Sequence, residues 1–268
     1  MIKKKIYEYY ALLFSKPYFI KFNKFLYNLS LRGLGILNYR TEELSGERDW
    51  LKKYIGKKID PLVVDVGANV GKYSSLVLDI NKNARVVAIE AHPINYKKLK
   101  INLKPFEDRV KLLNYAIDSE ENVMELFDYV DKESSSHASL YKEVITDIHK
   151  SDCKVYKVKS TTLDKIFANE DRTIDLLKID TEGNEYKVLL GARNLLENNK
   201  IKAIQFEFNE MNIISKSSFF DFWKLLHEKY KFNFYRLLPY GRLFPIEKYS
   251  TMYCEIYLYQ NIVCLKTD

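Results

Sequence analysis

Two periods of hydrophobicity alternate along most of the chain. Short, largely apolar runs such as Leu62–Val66 and Arg85–Ile89 have the length and β-branched content of strands buried on both faces. Between them, apolar residues recur three and four apart, as at Leu189, Ala192 and Leu196, which is the period of a helix packed on one side. Read in order, the pattern predicts strands at Leu62–Val66, Arg85–Ile89, 110–114, 174–179 and 201–208. Helices fall between them, at 94–103 behind Pro93, at 162–167, at 184–196 and at 219–229. The stripe Phe219, Phe222, Trp223 and Leu226 on the last of these reads as core. Segments 122–130 and 154–159 read as extended, and 131–152 between them is polar and serine-rich, either a lid or a plain surface loop. Two late strands, Phe232–Leu238 and 252–259, are expected as an antiparallel pair at the sheet edge. Helical segments precede Gly33 and Gly35, and another helix is expected at 42–54. This strand–helix alternation predicts an α/β fold with a doubly wound, mostly parallel sheet over 59–268 and a helical extension over 1–58. A ligand belongs beyond the carboxyl ends of its strands.

The first strand runs into a glycine-spaced turn, Asp65-x-Gly67-Ala68-Asn69-x-Gly71, and the second ends on Glu90. Glycines let backbone approach a ligand, a following helix offers N–H groups, and a carboxylate at that strand end suits the two hydroxyls of a ribose. The dinucleotide fingerprint fits poorly, because Asn69 and Lys72 stand where its second and third glycines belong. Asp65 suits a cationic nucleoside, S-adenosylmethionine, better, and no Gly-Lys-Ser/Thr closes the loop as a Walker motif would. An α/β protein with an unrelated glycine-rich turn, a nicotinamide-dependent oxidoreductase and a non-catalytic binding module remain as alternatives.

Composition narrows the partners. The net charge of +7 is concentrated in residues 1–32, where Lys3, Lys4, Lys5, Lys16, Lys21, Lys24 and Arg32 face Glu8 alone. The remaining body is nearly neutral, which argues against a broad nucleic-acid surface. The basic segment is interleaved with Ile6, Tyr7, Tyr10, Leu12, Leu13, Phe14, Phe19, Phe22, Phe25, Leu26 and Leu29. It is too polar to cross a bilayer, which takes about 20 mostly apolar residues. It is expected either to lie on an anionic membrane surface or to cap the sheet. Three sparse cysteines without a C-x-x-C pair suggest reduced thiols and a cytoplasmic protein, and the four histidines lack zinc-ligand spacing.

Three acids, Asp65, Asp180 and Glu207, end strands expected to be neighbours in a sheet of this class. Glu207 lies inside Ile204-Gln-Phe-Glu-Phe208, where an acid is costly unless paired or functional. The blocks DVGANVGKYS, AIEAHP, TTLDKI, LLKIDTEGNEYKVLLGA and QFEFNE together resemble the FkbM family of S-adenosylmethionine-dependent methyltransferases over about residues 60–210. Thr181 and Asn184 depart from the Val and Ala more common there, at positions expected to be tolerant. The resemblance implies a class I methyltransferase, Rossmann-like sheet and methyl transfer to an oxygen of a sugar or polyketide-type hydroxyl. It carries Asp65, Gly67, Ala68, Asn69 and Gly71 over as the cofactor loop and Glu90, with Ala91 beside it, as the ribose acid. Ala116 and Ile117 would border the adenine, and Asp180 would face the methionine end or the acceptor. A base is expected at Glu207 or His137, with Asp180 orienting. A magnesium ion held by Asp180, Glu182 and Glu207 is the alternative.

Overall fold

The computed structural model describes residues 2–131 and 133–267. Its strands are β1 (Leu62–Val66), β2 (Arg85–Ile89), β3 (Val110–Leu113), β4 (Ala116–Ile117), β5 (Val123–Tyr129), β6 (Cys153–Thr161), β7 (Leu176–Ile179), β8 (Ala203–Phe208), β9 (Phe232–Leu238), β10 (Arg242–Ile246) and β11 (Gln260–Lys266). Eight of them form one sheet in the order β10-β9-β11-β8-β7-β1-β2-β3. From β3 to β8 the pairing is parallel, whereas β11 is antiparallel to both β8 and β9. This is the class I methyltransferase, Rossmann-like arrangement, with β4, β6 and β5 in a small second sheet.

The apolar runs lack alternation because each strand feeds two cores. Leu62, Val64 and Val66 of β1 pack with Leu177, Ile179 and Phe206 on one side of the sheet. Val63 packs on the other with Trp50, Leu51, Val77, Leu176 and Ala203. Trp50 and Leu51 belong to the helix Glu47–Tyr54, so this part of the N-terminal extension is built into the core. The helices Ile2–Phe14 (α1) and Ile20–Gly33 (α2) are not: residues 3–13 are all exposed, and α2 buries only Leu31. They therefore do not cap the sheet. No helix among the described residues is long and apolar enough to cross a membrane.

Several boundaries differ from the sequence reading. Segment 252–259 is not a strand: Thr251–Cys254 is helical, and the carboxylate of Glu255 accepts the N–H groups of Phe219 and Phe220 at 3.0 and 2.9 Å. The edge partner of β9 is β10, and the true last strand, β11, slots between β8 and β9. Its polar start, Gln260-Asn261, disguised it, because both side chains are buried and bonded, Gln260 to Arg236 and Asn261 to Gln205. The helix expected at 184–196 is two, Glu185–Leu190 and Arg193–Glu197. At the break, a Cβ on Gly191 would lie 2.1 Å from the Asp118 carbonyl oxygen. The helix expected at 42–54 breaks at Gly46, which has φ 72°. Segment 131–152 is partly structured: Ser139 bridges Phe127, and the helical turn Val144–Ile148 packs Val144 and Ile145 against Tyr129 and Met211. Lys132 in this stretch lies outside the described residues.

Candidate active site

Chain order reverses between β1 and β7, which are paired, so their carboxyl ends flank the switch-point crevice where α/β sheets bind ligands. The glycine turn sits there under tight constraint. Gly67 has φ 83°, and a Cβ on it would fall 1.7 Å from the Asp180 carbonyl oxygen. Its N–H and that of Ala68 donate to the Ile89 carbonyl at 2.9 and 3.0 Å, locking the turn onto β2. Asn69, at φ 50°, donates its backbone N–H to Glu90 Oε2 at 2.7 Å, while the His92 N–H donates to Glu90 Oε1 at 2.7 Å.

Two hollows open on this crevice and share Gly67, Asn69 and Asp180. The larger, about 580 Å³, takes in Asp65, Ala68, Gly71, Tyr73, Lys178 and Glu207, with Ser45, Glu47 and Arg48 from the N-terminal region. The smaller, about 60 Å³, is lined by Glu90, Ala91, Ala116 and Ile117 and roofed by Ser135, Ser136, Ala138 and Leu140. All nine expected cofactor residues thus line one hollow or the other.

A polar network backs the lining of the larger hollow. Ser74 donates to Asp65 at 2.6 Å, Tyr73 to Gln205 at 2.9 Å, and Gln205 to Glu47 at 2.7 Å. Asn261 donates to the Tyr259 phenol at 2.9 Å, and that phenol lies within the electrostatic reach of Glu207. Lys178, buried in β7, sits 3.4 Å from Asp180. Burial pulls its ammonium toward neutrality, but Asp180, Glu207, Glu47 and Asp65 outweigh that and hold it above its ordinary value. Burial raises Asp65 to about 6 and Glu90 to about 7, partly opposed by the Ser74 hydroxyl at the first and the backbone N–H groups at the second. Glu207 is also raised well above the usual carboxylate range, by burial and then by Asp180, against Lys178. Crowded carboxylates that resist ionisation are a setting that welcomes a cationic ligand.

The model of the methyltransferase FkbM domain matches residues 65–234. The chain belongs to this family. It is an S-adenosylmethionine-dependent methyltransferase, which sets aside the nicotinamide reading. No curated protein sequence matches it. Its fold is similar to that of a precorrin-6y C5,15-methyltransferase from Geobacter metallireducens, at 12% identity, TM-score 0.41, and 82% and 87% coverage of this chain and that one. A Thermotoga maritima S-adenosylmethionine-dependent O-methyltransferase is similar at 13% identity, TM-score 0.41, and coverage of 83% and 65%. A putative rRNA-methylase from Clostridium thermocellum shows 10% identity, TM-score 0.45, and coverage of 83% and 94%. Likeness this distant says nothing about the acceptor.

The methyltransferase's own residues fit the cofactor. Glu90, Ala116 and Ile117 line the smaller recess, a setting that fits a ribose, and the acids around Asp180, where the two hollows meet, fit a sulfonium and an ammonium. Magnesium fits less well. Among the described residues no group of three or more His, Cys, Asp or Glu side chains is arranged to hold a metal ion, and the Lys178 ammonium already lies among the acids.

His137 lines neither hollow. Its Nδ1 lies 3.0 Å from Glu182, which does line the recess, and its ring is beside His149. Other contributors were missed from sequence. Asn184, expected to be tolerant, is buried, donates to the Ile117 carbonyl at 2.9 Å and accepts from the Tyr141 phenol at 3.2 Å. Thr181 donates through its N–H to Glu185 at 2.9 Å. His92 caps the helix Pro93–Asn102 by accepting at Nδ1, which leaves Nε2 as the protonated nitrogen facing Asp128 at 3.2 Å. Asp128 in turn accepts from Ser135 in the roof at 2.5 Å. The signal available in sequence was a polar residue inside an apolar run, as at Lys178 and Gln205.

Proposed function

We propose that this methyltransferase transfers the methyl group to a hydroxyl of a sugar or glycan, bound in the larger hollow. The observation that carries the proposal is the hollow itself: it opens beside the cofactor recess, shares Asp180 with it, and is lined by the carboxylates of Glu47, Asp65 and Glu207, the amides of Asn69 and Asn102 and the side chain of Tyr73, a polar lining suited to a polyhydroxylated ligand. The sugar class follows the family's usual acceptors.

S-adenosylmethionine supplies an electrophilic methyl on a sulfonium. The chain must then align an acceptor oxygen in line with it and take the hydroxyl proton, and alignment alone lowers such barriers greatly. Asp180, at the junction of the two hollows, orients the acceptor. Glu207 is the proton acceptor, favoured over His137 because it lines the larger hollow. Its raised pKa makes it a stronger base once ionised. Lys178 keeps a positive charge within the acid cluster, which favours that ionised form.

The test begins with calorimetric titration of S-adenosylhomocysteine, then follows labelled methyl transfer to a panel of free and nucleotide-linked hexoses. Glu207→Gln should lower turnover by roughly a hundredfold or more, leave S-adenosylhomocysteine affinity within a few-fold, and abolish the acid limb of the pH profile. Turnover should survive exhaustive chelation. Unchanged turnover in the variant removes Glu207 from the mechanism. Methyl found on nitrogen or carbon, or cofactor binding with no sugar accepted, overturns the acceptor class.

A further inference from the structure

The most conspicuous surface left without a partner is the helical hairpin of α1 and α2. Its two helices are tied at their shared end by Tyr10 donating to Asn23 at 2.6 Å, by Asn23 donating to the Phe14 carbonyl at 3.0 Å, and by the Phe14 ring beside that of Phe22, their centroids 6.1 Å apart. Beyond that clasp the apolar residues face outward. Ile6, Tyr9 and Leu13 follow one side of α1 and are 57%, 64% and 57% exposed. Phe22, Phe25 and Leu29 follow one side of α2 and are 45%, 59% and 51% exposed. Lys21, Lys24 and Arg32 recur along an adjoining side of α2, and Lys3, Lys4 and Lys5 occupy the first turn of α1. Exposed apolar stripes along both helices mark a place where something binds.

We propose that the hairpin docks on an anionic lipid bilayer, lying in the interface with Phe22, Phe25, Leu29 and the α1 stripe in the acyl boundary and the lysines among the headgroups. Charge decides between occupants. A second copy of the hairpin would bring lysines against lysines with Glu8 as the single acid, whereas anionic headgroups complement them. The base of the hairpin is rigidly joined to the enzyme. Leu31 and Ile36 are buried, Arg32 donates to the Leu37 carbonyl at 2.9 Å, and Leu37 donates its N–H to the Tyr259 carbonyl at 2.8 Å. The Tyr259 phenol in turn lies within the electrostatic reach of Glu207, which lines the larger hollow. Docking would thus hold the acceptor site close to the lipid surface. This inference is independent of the acceptor class.

The experiment is co-sedimentation of the full chain with vesicles of phosphatidylcholine alone and of equal parts phosphatidylcholine and phosphatidylglycerol, with sedimentation velocity of the protein alone. Binding is expected to the anionic vesicles and to weaken at high salt. Lys3→Gln/Lys4→Gln/Lys5→Gln should weaken it roughly a hundredfold. Phe22→Ser/Phe25→Ser/Leu29→Ser should abolish it, and both variants should keep wild-type affinity for S-adenosylhomocysteine, which also shows that they fold. Absence of binding to anionic vesicles at low salt overturns the proposal. So does binding that neither variant alters, or a dimer dispersed by the apolar variant in a protein that ignores vesicles.

Discussion

At Glu90, burial and two backbone hydrogen bonds pull in opposite directions, and burial wins. The carboxyl titrates near 7 in the fold against 4.5 ordinarily. The folded state therefore holds a proton that the unfolded chain has released, and the group's contribution to stability is complete below about pH 4.5 and lost as pH rises through about 7. Glu90→Gln cannot lose a proton, so its stability relative to wild type should improve with pH, by up to about 3 kcal/mol between pH 5 and pH 8. Thermal melts of both proteins across that range check this; parallel curves would refute it. If Glu90 holds the ribose as proposed, the same variant should bind S-adenosylhomocysteine at least tenfold more weakly, because a carboxylate acceptor is replaced by an amide. Glu90, Asp65 and Glu207 were legible in the sequence as acids at strand ends. Lys178 stood out only as a polar residue in an apolar run; that its charge sits among these acids was not legible, because a single lysine there reads equally as a surface residue of an edge strand.

Among the elements, the connection between β5 and β6 is the one whose state bears most on ligand entry. Its residues 135–140 roof a recess of about 60 Å³, well below the roughly 300–1,000 Å³ common for ligand pockets, so the position of this roof sets how much room the recess offers. The roof is latched. Burial alone would raise the Asp128 carboxyl, but His92, Ser135 and the Tyr129 N–H outweigh it and bring it down to about 2. Asn95 adds a 2.7 Å bond to the Ser135 carbonyl. Asp128→Ala should cost about 1–3 kcal/mol by orphaning His92 and should speed amide exchange in 133–140. Exchange in that segment as slow as in wild type would show that the latch lies elsewhere. The sequence left 131–152 open between lid and plain loop, because its serines acquire their partners from elsewhere: Ser135 from β5, Ser134 from the helix Pro93–Asn102 and Ser139 from the Glu182 carbonyl.

For the whole molecule, the two ends of the chain differ in what they support. β11 bonds to β8 on one side and β9 on the other, so ending the chain at Tyr259 would split the sheet and leave Phe206, Phe208 and Phe234 without cover. That truncation should show no cooperative melt. Removing residues 2–30 takes away surface the core does not use and should move Tm by less than about 4 °C. A truncated chain that melts like wild type without β11, or one that collapses without the hairpin, would contradict this division.

The sequence by itself determined the β1–β2 unit, the glycine turn and the acids at the strand ends. These depend on local periodicity, on φ angles that favour glycine and on the known order of strands in such sheets. It also determined the parallel body, since runs apolar on both faces admit few other settings. Only the tertiary structure decided that β11 inserts with a polar start, because Gln260 and Asn261 find buried partners from other strands. It alone decided where helices break, at Gly46 and Gly191, since the forbidding atoms belong to Leu238 and Asp118. And it alone showed the N-terminal helices standing clear of the sheet: an amphipathic pattern fixes which face is apolar, whereas what that face meets depends on the rest of the molecule.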